Sequence, residues 1–183
     1  METEENSKLT NDSMLFYIPV SRLVIMSILS VGLYPTYWMY KNWKIIKSQE
    51  KSEILPFWRG AFGIFFIHNL FEVMLYNYES KSTHKAKFSS SDLATGYILL
   101  FVVAIIGYFV SSYLKISEIL YVGSTLLQLK FLFFLPVQNY VNKVNESIEP
   151  RPKYNKWSIG HIVCLIYGGY LYYSLINRLI ANL

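Results

Sequence analysis

The feature that most constrains this chain is a series of five apolar segments, each close to the length that crosses a bilayer. They occupy residues 16–40, 56–77, 93–112, 116–137 and 157–180. A transmembrane helix needs about 20 predominantly apolar residues. Charged residues make up only 16% of the chain, well below the share of roughly 25% in soluble domains. The sequence therefore predicts an all-α integral membrane bundle of four to five apolar helices, with residues 16–183 as one transmembrane domain and residues 1–15 as a polar, flexible tail.

The first apolar segment contains two helix-breaking residues. Gly32 and Pro35 interrupt it, and Arg22 lies in the part that precedes them. Because proline removes a backbone donor and clashes with the preceding turn, we expect the helix to bend or end near Leu33. The uninterrupted stretch, residues 20–31, is short for a full span. The first helix is therefore predicted to be bent or re-entrant.

The stretch YWMYKNWKIIK that follows this bend has the composition of an interfacial amphipathic helix. Tryptophan and tyrosine favour headgroup depth, and lysines reach toward phosphates. All four tryptophans lie at segment ends. The residues predicted to contact lipid headgroups are Trp38, Lys41, Trp43, Lys44, Lys47, Trp58, Arg59 and Trp157. The alternative is a plain solvated basic loop. The net charge of +5 is spread between apolar runs, so anionic lipid, and not nucleic acid, is the predicted partner.

The basic residues pose a topological problem. Residues 41–59 and residues 139–156 are both rich in lysine and arginine, and the positive-inside tendency places each in the cytoplasm. Three apparent spans separate them, so either one segment does not cross or the tendency fails for one region. Tyr40 and Asn42 also recur as Tyr140 and Asn142. We interpret this faint repeat as coincidence, with an inverted-topology repeat as the alternative.

Polar residues inside the apolar segments form the candidate site. Ionisable groups at bilayer depth are costly and often functional. The second segment carries His68, Asn69 and Glu72, and the fourth carries Gln128 and Lys130. If both segments span, Glu72 and Lys130 lie in the same half of the bilayer and can pair across helices. Two alternatives are separate snorkelling of each side chain to an interface and an ion pair with only a structural role.

Enzyme signatures are absent from the sequence. There is no glycine-rich phosphate loop, no His-x-x-x-His and no Gly-x-Ser-x-Gly. The three histidines are far apart, and Cys164 is the sole cysteine. We therefore predict no catalytic residue, no metal site and no cofactor.

The blocks GLYPTYWMYKNWK, PFWRGAFGIFFIHNLF and LPVQNYVNKVN resemble a family of bacterial multi-span membrane proteins of unknown function. The resemblance implies a small multi-pass protein of the bacterial inner membrane and carries over no catalytic residue. The preferred function is a non-enzymatic scaffold, partner-regulating or immunity-type protein that acts through helix and lipid contacts, as a homo-oligomer or with a membrane protein partner. The alternative is a small oligomeric transporter or channel that uses the Glu/His/Lys cluster.

Overall fold

The structure, a computed structural model, describes residues 15–79, 85–114, 127–148 and 156–181. These residues are helical apart from short connections, and no strand occurs among them, which confirms the all-helical prediction for this part of the chain. The helices are, in chain order, α1 (Val20–Leu29), α2 (Tyr34–Glu50), α3 (Pro56–Ala61), α4 (Gly63–Glu79), α5 (Ser90–Leu114), α6 (Leu135–Ile148) and α7 (Ile159–Ala181). The predicted tail, apart from Leu15, and residues 116–126 of the fourth predicted segment lie outside the described residues.

A tight turn divides the first predicted segment into α1 and α2. Val31 and Gly32 adopt positive φ angles of 50° and 80°, and Pro35 occupies the first turn of α2, where its missing N–H costs nothing. The hydroxyl of Ser30 accepts a hydrogen bond of 2.8 Å from the backbone N–H of Tyr34. The turn therefore reverses the chain while satisfying a donor at the start of the new helix.

The second predicted segment is two helices and not one span. α3 ends at Ala61 and α4 begins at Gly63. Glycine permits a close approach to α2 here, because a Cβ atom on Gly60 would lie 2.9 Å from the Cβ of Tyr40. The short α3 packs against α2, and α4 begins two residues after its end.

α5 is the one helix, among the described residues, that is long and apolar enough to cross a membrane. It has 25 residues, and only 17% of its most apolar window is buried within the chain. The helix begins at Ser90. The hydroxyl of Ser89 accepts a hydrogen bond of 3.1 Å from the N–H of Asp92, so Ser89 is the capping residue and Asp92 lies in the first turn.

Helical structure continues well beyond the predicted end of the fourth segment at Val137. A 3-10 turn, Lys130–Phe134, leads into α6, which extends to Ile148. The predicted segment bounds place residues 139–156 in a connection between the fourth and fifth apolar segments. The helix forms because Val137, Val141 and Val144 share a buried face, the spacing of an amphipathic helix.

An aromatic cluster joins several of these elements. The ring of Phe134 meets those of Trp38, Phe71 and Tyr97 edge-on, with centroid distances of 5.0, 5.6 and 5.4 Å. Edge-to-face pairs of this kind are worth about 0.5–1.5 kcal/mol beyond area burial. The cluster fixes α2, α4 and α5 around the 3-10 turn.

Candidate functional site

An extended peptide runs through the protein interior just before α1. We call residues 15–19 the strap. The side chains of Leu15, Phe16, Tyr17 and Ile18 are buried, whereas the sequence predicts a helix that begins at residue 16. The strap has no regular secondary structure; Pro19 at its end has a ψ of 137° and disfavours a helical conformation of Ile18. Its backbone groups therefore need partners outside a helix.

Four buried amide side chains supply those partners, and we call them the amide cradle. Asn42 Oδ1 accepts a hydrogen bond of 3.3 Å from the N–H of Phe16, and Gln138 Nε2 donates one of 3.1 Å to its carbonyl. Asn142 Nδ2 donates to the carbonyl of Ile18 at 2.8 Å. Asn145 Nδ2 donates to that of Leu15 at 3.4 Å. The cradle is thus complementary to the strap's main chain.

The cradle is also bonded internally. Gln138 Nε2 donates to Asn142 Oδ1 at 2.7 Å, and Gln138 Oε1 accepts from the indole N–H of Trp38. Asn42 Nδ2 donates to the carbonyl of Trp38 at 2.9 Å. Because buried polar groups are costly unless paired, this network is the satisfied polar centre of the fold. The repeated asparagines, Asn42 and Asn142, meet here on the same strap.

The structure corrects two of the predicted headgroup contacts. Trp38 and Trp43 have exposed fractions of 0% and 1%, so they lie in the core and do not reach lipid headgroups. Trp38 is held by Gln138, and the guanidinium of Arg59 lies 4.5 Å from the ring centroid of Trp43. The prediction is wrong for these two residues because it used only their position at a segment end. The face of α2 that carries them packs against the protein interior.

The other predicted headgroup residues lie nearer the surface. Trp58 and Trp157 are 54% and 59% exposed. Lys44 is exposed, and Lys47 is partly exposed. Lys41 is partly buried over the ring of Phe16, and burial, followed by the charge of Lys44, lowers the pKa of Lys41.

The structure does not bring the predicted intramembrane cluster together. His68, Asn69 and Glu72 share an exposed face of α4. His68 Nε2 lies 3.1 Å from the hydroxyl of Thr95, and Asn69 Oδ1 accepts from Arg59 at 3.3 Å. These contacts leave Glu72 at the surface.

Lys130 lies on the 3-10 turn, away from that face. Its Nζ is 5.4 Å from the ring centroid of Phe101 and 5.9 Å from that of Tyr97. Gln128, two residues earlier, is half-buried. In the described part of the chain no ion pair joins Glu72 to Lys130, so the predicted pair is not formed. Cation–π contacts with α5 hold the lysine in its place.

A second buried polar network lies at the start of α7. The backbone N–H of Ser158 donates to His161 Nδ1 at 3.1 Å, and its hydroxyl lies 2.9 Å from the same atom. Because Nδ1 accepts, we place the imidazole proton on Nε2, which lies 3.1 Å from the hydroxyl of Tyr34. Tyr37 Oη lies 2.6 Å from Ser158 Oγ.

This serine and histidine pair caps a helix. Ser158 precedes α7 and His161 is its third residue, the positions of a capping box with histidine in place of glutamate. Both imidazole nitrogens are therefore occupied in structural bonds. The Ser-x-x-His spacing is the signal that would have predicted this role from sequence. Across the described residues, no three histidine, cysteine, aspartate or glutamate side chains are grouped to hold a metal ion.

Comparison of the chain with protein-family models, with curated proteins and with solved structures finds no match. The resemblance to the bacterial multi-span family therefore stays a prediction.

Proposed function

We propose that this chain is an integral membrane protein that acts without catalysis, as a scaffold, partner-regulating or immunity-type protein working through helix and lipid contacts. The observation that carries the membrane assignment is the exposure of α5. Beyond Leu99 this helix presents a broad apolar face that includes Val102, Ile106 and Phe109. Exposed apolar surface on this scale marks a membrane or a partner interface.

α7 supports a second membrane contact. Its exposed side chains include Ile162, Ile166, Tyr170 and Ile176. In this proposal α5 crosses the bilayer, α7 contacts it through this exposed apolar face, and the shorter apolar helices α1 and α4 complete the bundle without crossing. The multi-pass inner-membrane location is part of this proposal; the sequence resemblance and the exposed apolar faces of α5 and α7 support it.

The non-enzymatic part of the proposal rests on how the buried polar groups are used. The amide cradle binds the chain's own strap, and Ser158 with His161 caps α7. A catalytic base or nucleophile needs a reacting partner within reach. In these two networks, the buried amides, Ser158 and His161 are already hydrogen-bonded to other groups of the protein.

Membrane extraction tests the anchor. The wild-type chain is expected to stay in the membrane pellet after an alkaline carbonate wash. Val102→Arg with Ile106→Arg should release it or prevent insertion, because each central arginine costs roughly 2.5–3.5 kcal/mol. The control, Ser48→Arg with Ser91→Arg, adds the same charge at exposed positions outside the apolar centre and should behave as wild type. Wild-type protein that is monodisperse in detergent-free buffer contradicts the proposal.

The exposed stripe on α4 favours a second candidate, a small oligomeric transporter or channel. His68, Asn69 and Glu72 lie on the surface of an otherwise apolar helix, and a lipid-facing carboxylate is unfavourable. A second copy covering this stripe would enclose a polar path. Proton or potassium flux in liposomes that is lost in Glu72→Gln but kept in Glu53→Gln would favour this candidate over the scaffold.

A further inference from the structure

A pocket of about 700 Å³ lies between α6 and the residues that lead into α5. Its volume is within the range of roughly 300–1,000 Å³ that is typical of small-molecule sites. It belongs to neither the amide cradle nor the exposed stripe of α4. Its charged and aromatic lining residues are Lys85, Lys87, Phe88, Tyr140, Lys143 and Glu146.

The two walls of this pocket are held in place by the fold. Ser89 caps α5 directly after the first wall, and the ring of Phe88 packs edge-on against Tyr140 at 6.1 Å. The second wall is the outer face of α6, whose inner face carries Gln138 and Asn142 of the cradle. The pocket is therefore attached to the best-satisfied part of the core.

The charge in the pocket is predominantly positive. Three lysines, Lys85, Lys87 and Lys143, face one acidic residue, Glu146. The carboxylate of Glu146 accepts a hydrogen bond of 3.0 Å from the hydroxyl of Tyr17, which directs part of its charge to the strap. Within the described ranges none of the three ammonium groups has an ion-pair partner. An anion is the ligand that neutralises this arrangement.

Tyr140 contributes a neutral phenol to the same wall. Burial, followed by the nearby carboxylate of Glu79, raises the pKa of Tyr140. The phenol therefore adds no negative charge to the pocket. Asn139 also lines the pocket and offers amide protons. Several cationic and neutral donors around one cavity suit a group with several acceptor oxygens.

We propose that this pocket binds a phosphate-bearing anion, either the headgroup of an anionic phospholipid or a soluble phosphate ester. Lysine is a point-charge binder of phosphate, and the phosphate group offers oxygens to both walls at once. The pocket adjoins the beginning of α5, the end at which a spanning helix meets headgroups. Of these two ligands, only the phospholipid headgroup rests on the proposed membrane function.

Binding of two kinds of probe to the full chain in detergent micelles tests the proposal. Glycerol 3-phosphate and inorganic phosphate are titrated by calorimetry, and phosphatidylglycerol is compared with phosphatidylcholine by native mass spectrometry. Lys87→Gln with Lys143→Gln removes one charge from each wall. Lys51→Gln with Lys156→Gln removes two charges from exposed positions elsewhere. Circular dichroism of each variant checks that the fold is retained.

We expect saturable binding of at least one phosphate probe, weakened roughly tenfold or more in the pocket variant and unchanged in the control, since a charge-assisted hydrogen bond is worth at least that factor. Soluble ester binding without a lipid preference assigns the soluble source. A preference for phosphatidylglycerol without ester binding assigns the lipid. Absence of saturable binding to every probe, or an equal loss in the control variant, overturns the proposal. Ester binding by a chain that needs no detergent would contradict the proposed membrane function and leave the pocket intact.

Discussion

At the scale of single residues, buried side-chain amides form the hydrogen bonds to the strap's main chain that a helix or sheet would otherwise supply. An extended peptide in the interior leaves N–H and C=O groups unpaired, and each such group costs free energy comparable to a lost hydrogen bond. Asn42, Gln138, Asn142 and Asn145 remove that cost with side-chain bonds. The strap is therefore specified by residues far away in sequence.

The two buried tryptophans of α2 allow this polar centre to be tested. Trp38→Phe removes the indole N–H that bonds Gln138 and leaves a buried amide oxygen without this donor. We expect a loss of about 1–3 kcal/mol beyond the loss of ring volume. Trp43→Phe is the matched control, because the Trp43 indole N–H has no acceptor among the described residues. Thermal unfolding in detergent, followed by circular dichroism, measures both, and equal destabilisation would contradict a stabilising role for the Trp38 bond.

At the scale of elements, α1 and α7 pack backbone to backbone. A Cβ atom on Gly168 would overlap the carbonyl oxygen of Leu29, whereas one on Gly169 would meet nothing within 4 Å. The hydroxyl of Tyr172 donates to the carbonyl of Ile28 at 2.9 Å along the same contact. Small residues allow this kind of approach between helices in membranes.

Alanine substitutions at these adjacent glycines should therefore change the free energy of unfolding in different directions. Gly168→Ala is expected to destabilise the protein by about 1–3 kcal/mol, because the backbone of α1 must shift. Gly169→Ala should be neutral or stabilising by up to about 1 kcal/mol, because alanine favours helix more than glycine does. The midpoint of thermal unfolding in detergent reports both. Similar midpoints for the two variants would show that α1 and α7 do not pack as described.

Elements with uniform apolar composition were predictable from sequence, and those that depend on distant partners were not. α5 and α7 follow from continuous apolar runs and lie close to their predicted bounds. The strap could not be predicted, because its partners are 26 to 130 residues away. The continuation of α6 was missed because its asparagines lie beyond the apolar run that ends at residue 137. Their amides are bonded in the interior instead.

At the scale of the whole molecule, the same limit applies to the candidate sites. Residue type identified His68, Glu72 and Lys130, but only packing decides that α4 turns its polar stripe outward while Lys130 contacts α5. The proposed phosphate pocket combines Lys85 and Lys87 with Lys143, which lies much later in the sequence. The spacing of residues within either part of the sequence does not predict that these lysines lie together. From the sequence, the net charge predicted an anionic partner but not the place where it binds.

The fold also suggests an answer to the conflict between the two basic regions. α4 has 17 residues, or about 25 Å at 1.5 Å per residue, which is short of the hydrocarbon thickness of about 30 Å. If α4 does not cross, the two apolar segments predicted at 93–112 and 116–137 are the remaining candidates for crossing between the two regions. Two crossings would return the chain to the same side. The positive-inside tendency would then predict a cytoplasmic location for both regions.

Cysteine labelling tests this topology in the full chain. Cys164, the sole and buried cysteine, is first replaced by alanine, and single cysteines are introduced at Lys51, Tyr113 or Lys143. We expect a membrane-impermeant maleimide to label Tyr113→Cys in intact spheroplasts, and to label Lys51→Cys and Lys143→Cys only after lysis. Full labelling of all three in detergent is the control for accessibility. Labelling of Lys51→Cys and Lys143→Cys from opposite sides would mean that an odd number of segments crosses between them, and α4 would then have to span despite its length.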